Sequence, residues 1–235
     1  MLVLLPCILY IACFASYPTC CCFSYDTLNI ESQIDLSQRG LVPSDARLVK
    51  MALLQNSQLS VLKLGYNNLG DKGVQILAAG ISQHRALESL DLGFNNIGDE
   101  GCRALARAIP RDGTLHTLYL AGNLIGEDGA LALADVIRKG SSLRHLYMTG
   151  NRLGADGITA ITEAILEDEL RRRSAHESED QGEEKSMMAN GYHHDTQTGM
   201  RKLFLGGTGM GLSRCKAFSR LLGQTTTLKV LSLPN

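Results

Sequence analysis

The feature that most constrains this chain is a repeat with a period of 28 residues in its central part. Each copy has the pattern L-x-x-L-x-L-x-x-N-x-L-G, with Ile or Met in place of some leucines, followed by apolar residues at helical spacing. The four clearest copies are LSVLKLGYNNLGDKG from Leu59, LESLDLGFNNIGDEG from Leu87, LHTLYLAGNLIGEDG from Leu115 and LRHLYMTGNRLGADG from Leu143. Because one strand and one helix cannot bury their apolar faces alone, neighbouring copies must stack. A helix is wider than a strand, so the repeat predicts a right-handed α/β solenoid with a concave parallel sheet and convex helices.

The repeat divides the chain into four parts. Residues 1–24 form an apolar, cysteine-rich leader or tail, and residues 25–170 hold repeats with a degenerate first copy at 31–58. Residues 171–199 have mostly polar and charged side chains, which cannot bury a face, and are predicted to be a disordered acidic insertion. The repeats continue over 200–235 and are truncated in the last copy. This truncation predicts a fragment, or an end that another chain covers.

The apolar run from Leu2 to Ala15 has the length of a signal-peptide core and is too short to span a bilayer comfortably. No Lys or Arg precedes it, so two interpretations stay open: a leader cleaved after Ala15, and a non-native or disordered apolar start. Cys102 and Cys215 share one apolar column, and free core thiols favour a reducing compartment. We therefore expect a cytoplasmic protein, or a secreted or organellar one if residues 1–15 are a signal peptide.

A glycine-rich stretch raises the question of a nucleotide-binding loop. LFLGGTGMGLSRC, from Leu203, places glycines between a predicted strand and a predicted helix, which is the context of a phosphate-binding loop. The repeat already accounts for Gly206, Gly207 and Gly211, which align with turn glycines of other copies, and only Gly209 has no counterpart. The sequence also lacks G-x-x-x-x-G-K-[ST]. We interpret these glycines as tight turns and expect no cofactor.

Two polar columns are predicted to have structural roles. The Asn of each copy should be buried in the turn and bond main-chain groups of adjacent turns, because an unpaired buried group costs about 1–3 kcal/mol. This Asn ladder consists of Asn67, Asn95, Asn123 and Asn151. Acidic residues after the turn should cap helix amides or oppose the helix dipole, and they are Asp71, Asp99, Asp128 and Asp156.

In these columns the chain resembles the ribonuclease-inhibitor class of leucine-rich repeat proteins. That class has 28-residue copies with the motif LxxLxLxxNxLGDxG, followed by a helix rich in Ala and Leu. Residues 59–166 match this pattern closely, and residues 31–58 and 200–235 match it loosely. The class includes ribonuclease inhibitors, sensor arms of NOD-like receptors, tropomodulin-type actin cappers and activators of the Ran GTPase. The resemblance implies a surface that binds other proteins.

Outward strand and turn positions define the predicted partner-binding face. Leucines fill the interior, so aromatic residues in outward columns are not explained by the core and suit protein recognition. The candidate residues are Lys63, Tyr66, Asp91, Phe94, Tyr119, His145, Tyr147, Lys202 and Phe204. Isolated surface aromatics are also common in proteins generally. The expected stacking of Tyr119 on Tyr147 favours the binding interpretation, and the face should change from acidic to basic along the solenoid.

Composition and register restrict the function. The net charge is −1, which gives no general case for binding nucleic acid or an anionic membrane. The columns contain no nucleophile–base set, and HHD at His193–Asp195 alone does not make a metal site. RRRS at Arg171–Ser174 is either a phosphorylation site, a tethering tail or a solvated charge run. We expect no enzyme, metal, cofactor, nucleic acid or small-molecule substrate, and no membrane contact except through the leader. The predicted function is non-catalytic binding of a partner protein of unknown identity on the concave face. The alternatives are a Ran-type GTPase activator and the sensor region of a NOD-like receptor.

Overall fold

Short strands and helices alternate along the chain in a computed structural model that describes residues 31–109, 113–180, 199–207 and 215–232. The strands are β1 Gln33–Asp35, β2 Val61–Lys63, β3 Ser89–Asp91, β4 Thr117–Tyr119, β5 His145–Tyr147, β6 Lys202–Phe204 and β7 Val230–Ser232. The helices are α1 Ala46–Gln55, α2 Gly70–Ile81, α3 Asp99–Ala108, α4 Glu127–Arg138, α5 Gly154–Asp180 and α6 Cys215–Gln224. The predicted leader and residues 181–198 of the predicted insertion lie outside the described residues.

The strands form one parallel sheet whose order follows the sequence. The leucine at the centre of each strand pairs with the equivalent leucine of the next, so Leu62, Leu90, Leu118 and Leu146 follow one another at the 28-residue period. Leu146 then pairs with Leu203, across the insertion. Consecutive helices pack against one another on the other side of the core. The predicted α/β solenoid, with a concave sheet and convex helices, is confirmed.

The core lies between the sheet and the helices. Leu90, Leu118 and Leu146 have no exposed surface, and Leu105 of α3 and Leu133 of α4 are equally buried on the helical side. Burying a leucine side chain contributes about 1.5–3 kcal/mol, so this apolar column is the main source of stability.

Two acidic residues at helix starts bond the helix of the following copy. None of α2, α3 and α4 has a side-chain cap of its own. Instead, Oδ1 of Asp71 accepts hydrogen bonds from the amides of Gly98 (2.7 Å) and Gly101 (3.0 Å) at the start of α3. The same pair of bonds recurs one copy later, between Asp99 and the amides of Gly126 (2.7 Å) and Gly129 (2.9 Å). Each bond therefore joins two neighbouring copies.

The other two predicted capping residues have different surroundings. Asp128 lies 3.5 Å from the guanidinium group of Arg103 at the surface, and Asp156 lies in the first turn of α5. Both residues stand one position later in the repeat than Asp71 and Asp99. In α4 the capping column is occupied by Glu127, whose carboxylate lies against Gly154.

Helix α5 extends beyond the boundary that the sequence predicts. It has 27 residues, so residues 171–180 continue the helix instead of beginning a disordered insertion. Three successive arginine side chains donate to main-chain carbonyls in or just after the neighbouring helices. The pairs are Arg171 with Arg138 (2.7 Å), Arg172 with Ser141 (3.1 Å) and Arg173 with Gln224 (3.1 Å). None of the described helices combines the length and the hydrophobicity that a bilayer-spanning helix needs.

Two buried carboxylates hold these arginines in place. Asp168 pairs with Arg171 and Arg172, and Glu169 pairs with Arg173 at 2.5 Å. The hydroxyl of Ser174 donates to a carbonyl within the same helix at 2.9 Å. The RRRS segment is therefore part of the packed helix, and its arginines are engaged with the neighbouring copies.

Candidate functional site

Three aromatic side chains form a continuous stack on the concave face. Tyr119, Tyr147 and Phe204 occupy the same position in β4, β5 and β6, and the sheet register places them side by side. The ring centroids are 4.3 Å apart between Tyr119 and Tyr147 and 4.5 Å apart between Tyr147 and Phe204, with interplanar angles of 17° and 12°. We call these three residues the strand stack. Since the preceding leucine of each strand points into the core, the rings point outward.

A second aromatic pair lies just beyond the ends of β2 and β3. The rings of Tyr66 and Phe94, which we call the turn pair, are 4.4 Å apart with an interplanar angle of 9°. Both side chains are exposed, at 56% and 47%. Their backbone φ angles are 57° and 55°, in the left-handed region that costs a side-chain-bearing residue about 1–3 kcal/mol. The equivalent positions in the next copies are Gly122, Gly150 and Gly207, with φ between 66° and 74°.

The glycine that follows the turn pair makes room for it. A Cβ atom on Gly122 would lie 2.3 Å from a ring carbon of Phe94, so this ring covers Gly122 directly. At Gly150 the nearest atoms to such a Cβ would be main-chain atoms of Gly122, at 3.5 Å. Phe94 and its partner ring are therefore held in place on a strained backbone while contributing nothing to the core. Exposed, fixed aromatic residues of this kind are typical of protein-binding hot spots.

The concave face is acidic near β1–β3. Asp35 forms a 3.5 Å ion pair with Lys63, and Asp91 follows in the next strand. The pKa of Asp91 is raised, first by burial and also by the charge of Asp35, although a 2.8 Å hydrogen bond from the amide of Gly93 and the charge of Lys63 act in the opposite direction. A cationic group of a partner would stabilise the charged form of this carboxylate.

The concave face becomes basic near β4–β6, at the amino ends of the strands. Nδ1 of His145 lies 3.1 Å from the hydroxyl oxygen of Thr117, within hydrogen-bond distance. The pKa of His145 is lowered, first by burial and then by Lys202, Arg201 and Arg144. The cations at this end of the concave face thus contribute to the lowered pKa of a neighbouring histidine. We call the cationic and titratable residues of this region the basic lip: His116, Arg144, His145, Arg201 and Lys202.

The Asn ladder holds the turns from which the turn pair projects. Oδ1 of Asn123 accepts hydrogen bonds from the amides of Asn95 (2.9 Å) and Ile97 (3.0 Å), and its Nδ2 donates to the carbonyls of Leu92 (3.0 Å) and Leu120 (2.9 Å). The other buried members, which also join their own turn to the preceding copy, are Asn67, Asn95 and Asn151. Their side chains are saturated with main-chain bonds, so their role is structural.

The sheet register places five of the predicted site residues side by side in one column, in the order Lys63, Asp91, Tyr119, Tyr147 and Phe204. His145 and Lys202 lie two residues before Tyr147 and Phe204 in their strands, and the turn pair lies just beyond the ends of β2 and β3. His116 is not among the site residues predicted from the sequence, although its column also contains the charged residues Glu88 and Arg144. The strain at the turn pair was not predicted either, although Tyr66 and Phe94 align with glycines of later copies.

Outside the concave face, the described part of the chain has a buried thiol and a groove between two helices. No group of three or more His, Cys, Asp or Glu side chains there has an arrangement suited to a metal ion. Cys102 is buried, and burial raises the pKa of its thiol far above the ordinary range, so it remains a neutral core residue. A groove between α3 and α4, lined by Arg103, Arg107 and Val136 among others, lies on the helical side, away from the aromatic residues.

Comparisons with known proteins agree with this architecture. The family model of the leucine-rich repeat matches residues 55–78, 83–106, 114–134 and 141–161. The search of curated proteins finds no match. Among solved structures, the chain is similar to actin-binding site 2 of leiomodin-1, with a TM-score of 0.53 and 16% identity over 66% of this chain and 93% of that one. It is also similar to the tropomodulin C-terminal domain of Caenorhabditis elegans, with a TM-score of 0.53 and 12% identity over 74% of this chain and 97% of that one. At these identities the likeness concerns the fold.

Proposed function

Because this chain is a leucine-rich-repeat protein of the ribonuclease-inhibitor type, we propose that it is a non-catalytic module that binds a partner protein on its concave face. The strand stack and the turn pair are the anchors of this contact. Their stacked rings offer an apolar surface that loses little side-chain entropy on binding, since each ring is already held by its neighbour.

The backbone strain at the exposed turn pair is the observation that carries the proposal. Tyr66 and Phe94 occupy a backbone conformation that glycine adopts without steric strain, and the following three copies have glycine there. Neither side chain is buried, so the fold gains little from them in exchange for the strain. A role in recognition accounts for their presence.

The test compares variants of the chain as bait in extracts of its native cells, with quantitative mass spectrometry of the captured proteins. Tyr119→Ala/Tyr147→Ala and Tyr66→Gly/Phe94→Gly should each lose the proteins that the wild type retains. The second variant should melt at the same temperature as the wild type or higher, because glycine relieves the strained φ. Loss of binding without loss of stability separates recognition from folding.

The matched control is Leu131→Ala, which removes an exposed apolar side chain from α4 on the convex side. It should capture the same proteins as the wild type. If both aromatic variants also capture the wild-type set, the concave face is not the binding surface and the proposal fails.

Narrower assignments follow from the class and from one of the similar structures, and each has a direct test. Adding the chain to Ran loaded with GTP tests GTPase activation, and an unchanged rate of hydrolysis removes that candidate. Co-sedimentation with filamentous actin tests the activity named for the leiomodin-1 region. The sensor role in a NOD-like receptor requires that the bound protein be a ligand that activates such a receptor. No contact among the described residues favours one of these three over general partner binding.

A further inference from the structure

The basic lip is built from three neighbouring strands. The amides of Arg144 and His145 both donate to the carbonyl of His116, at 2.8 and 2.9 Å. The amides of Arg201 and Lys202 donate in the same way to the carbonyl of Arg144, at 2.7 and 3.0 Å. Since adjacent strands are about 4.8 Å apart, the five side chains begin within a span of about 10 Å.

The charges of the lip act on one another. The pKa of His116 is lowered, first by burial and then by Arg144, with a further contribution from Arg201, while Glu88 acts in the opposite direction. The charged groups that act on His145 are all cationic, as described above. Both imidazole rings therefore lie in a positive potential that a bound anion would offset.

The lip adjoins the strand stack. His145 precedes Tyr147 by two residues in β5, and Lys202 precedes Phe204 by two residues in β6. Side chains two apart on a strand project from the same face, about 6.6 Å from each other. A partner segment that rests one side chain on the rings therefore places its neighbouring residues over the cations.

Two features favour an acidic peptide over a long polyanion. Asp35, Glu88 and Asp91 lie on the strands or strand ends that precede the lip, so a nucleic acid strand that extended past β4 in that direction would meet carboxylates. The rings of the strand stack also cover one another's faces, at centroid distances of 4.3 and 4.5 Å. The bases of a single-stranded nucleic acid need free faces of aromatic side chains on which to stack.

We infer that the basic lip binds a short acidic segment of the partner, with about three consecutive Asp or Glu residues next to an apolar residue that contacts the strand stack. This inference rests on the proposed function of the concave face and names the chemistry of its partner.

The two histidines give this contact a pH dependence. In the free chain, burial and the neighbouring cations hold the pKa of both rings below the ordinary histidine value of 6.5. Bound carboxylates favour the protonated rings and raise both pKa values, so binding takes up protons. Affinity should therefore increase as the pH falls from about 7.5 to about 5.5, where Asp and Glu of the partner remain ionised.

The test uses a fluorescein-labelled peptide, Gly-Ser-Glu-Asp-Glu-Phe-Ser-Gly, and its uncharged counterpart with Gln-Asn-Gln in place of Glu-Asp-Glu. Binding to the full chain is measured by fluorescence anisotropy at low ionic strength. The acidic peptide should bind about tenfold more tightly than the uncharged one, and added salt should reduce the difference. Lys202→Glu should weaken binding of the acidic peptide about tenfold, and His145→Gln should reduce its pH dependence.

The matched control is Lys72→Glu, the same charge change at an exposed position of α2. It should change the affinity by less than about twofold. The inference is overturned if the acidic peptide does not bind, if the two peptides bind equally, or if Lys202→Glu and Lys72→Glu have equal effects. It is also overturned if oligothymidylate or phosphatidylserine vesicles bind the lip more tightly than the acidic peptide.

The Tyr119→Ala/Tyr147→Ala variant distinguishes this inference from the proposed function. If that variant loses binding of both peptides, and the wild type binds the acidic and the uncharged peptide equally, the aromatic anchor is supported and the acidic partner is rejected. If the acidic peptide binds through Lys202 with full affinity in the aromatic variant, the charge contact stands and the aromatic anchor fails.

Discussion

At the scale of single residues, the turn after each strand demands a positive φ, and the residue placed there decides what that copy presents to solvent. Gln38, Tyr66 and Phe94 have φ between 55° and 57° in the first copies, and glycine takes over from Gly122. The Asn ladder holds this turn in place whichever residue occupies it. The same backbone shape thus carries an exposed side chain in one half of the sheet and none in the other.

Gly122→Ala tests the close contact between this glycine and the ring of Phe94. The added methyl group meets both an unfavourable φ and the aromatic ring, so the variant should lose about 2–4 kcal/mol of unfolding free energy. Gly150→Ala has the same φ penalty without the ring and should lose about 1–2 kcal/mol. Urea denaturation of both variants measures the difference.

Combining Gly122→Ala with Phe94→Ala supplies the control. Removing the ring should restore part of the lost stability, which a double-mutant cycle reports as coupling between the two positions. Equal losses for Gly122→Ala and Gly150→Ala would show that Phe94 moves aside at no cost.

Alignment of the copies assigns each residue to a column, and this alone is enough to predict the Asn ladder. The spacing of Asn123 from its neighbours predicts a buried amide that bridges two turns, and the structure has five hydrogen bonds at this side chain, three of them to the preceding copy. A backbone φ angle, by contrast, cannot be inferred from the residue type at one position. The strain at Tyr66 is visible only when its column is compared with Gly122 and Gly150, since the aromatic residue by itself suggests a normal surface position.

At the scale of helices and strands, polar contacts between copies extend the structure beyond the apolar pattern. The composition of residues 171–180 lacks the aliphatic residues of a packed helix, yet α5 continues through them. Arg171 and Arg173 reach carbonyls at the ends of two different neighbouring helices, which the sequence does not reveal because those partners are distant in the chain. Periodicity of apolar residues therefore predicts where a helix begins better than where it ends.

The capping acids give a prediction for two otherwise similar side chains. Asp99 and Asp128 both lie in the first turn of a helix, but only Asp99 bonds amides of the next copy. Asp99→Ala should therefore destabilise the chain by about 1–2 kcal/mol more than Asp128→Ala. Thermal and urea unfolding of the two variants checks this. Equal effects would mean that the contribution comes only from the helix dipole.

Glu169 links α5 to the segment before β7, and we expect the stabilising effect of this link to depend on pH. Burial raises the pKa of this carboxyl, but hydrogen bonds from the amide (2.6 Å) and hydroxyl (2.8 Å) of Thr226 and from Arg173 outweigh burial, so the pKa lies below its ordinary value of 4.5. A lowered pKa means that the folded state favours the charged form. Its stabilising effect is present above about pH 4.5 and is lost as the pH falls through the folded pKa.

The measurement compares the wild type with Glu169→Gln in urea unfolding across pH. The wild type should be the more stable of the two at neutral pH, and the gap should narrow as the solution is acidified below about pH 4.5. A gap that is independent of pH would show that the contact depends on shape and not on the charge of Glu169.

At the scale of the whole molecule, each copy contacts only its neighbours, so stability should vary along the solenoid. The amides of Thr117 in β4 and Val230 in β7 make equivalent hydrogen bonds to the preceding strand, at 2.9 and 3.0 Å. Leu118 beside the first is fully buried, whereas its counterpart Leu231 beside Val230 is only partly buried. Hydrogen-bond geometry is thus matched while burial differs.

Hydrogen exchange at these two amides measures this variation. The Thr117 amide should exchange more slowly than the Val230 amide, because local opening of β7 exposes little apolar surface and that of β4 exposes a great deal. Equal protection of both amides would indicate that the solenoid opens as one cooperative unit.

The bonds that Asp71 and Asp99 make to the following copy have an implication for how such a chain changes length. Excision of residues 72–99 would bring the carboxylate of Asp71 to the start of α4, where Gly126 and Gly129 already offer the two amides that Asp99 now serves. The junction would then be chemically identical to the one it replaced. Loss or duplication of this one period thus leaves the seam intact, so the span of the inner surface can change by a whole copy at a time while its side chains diverge.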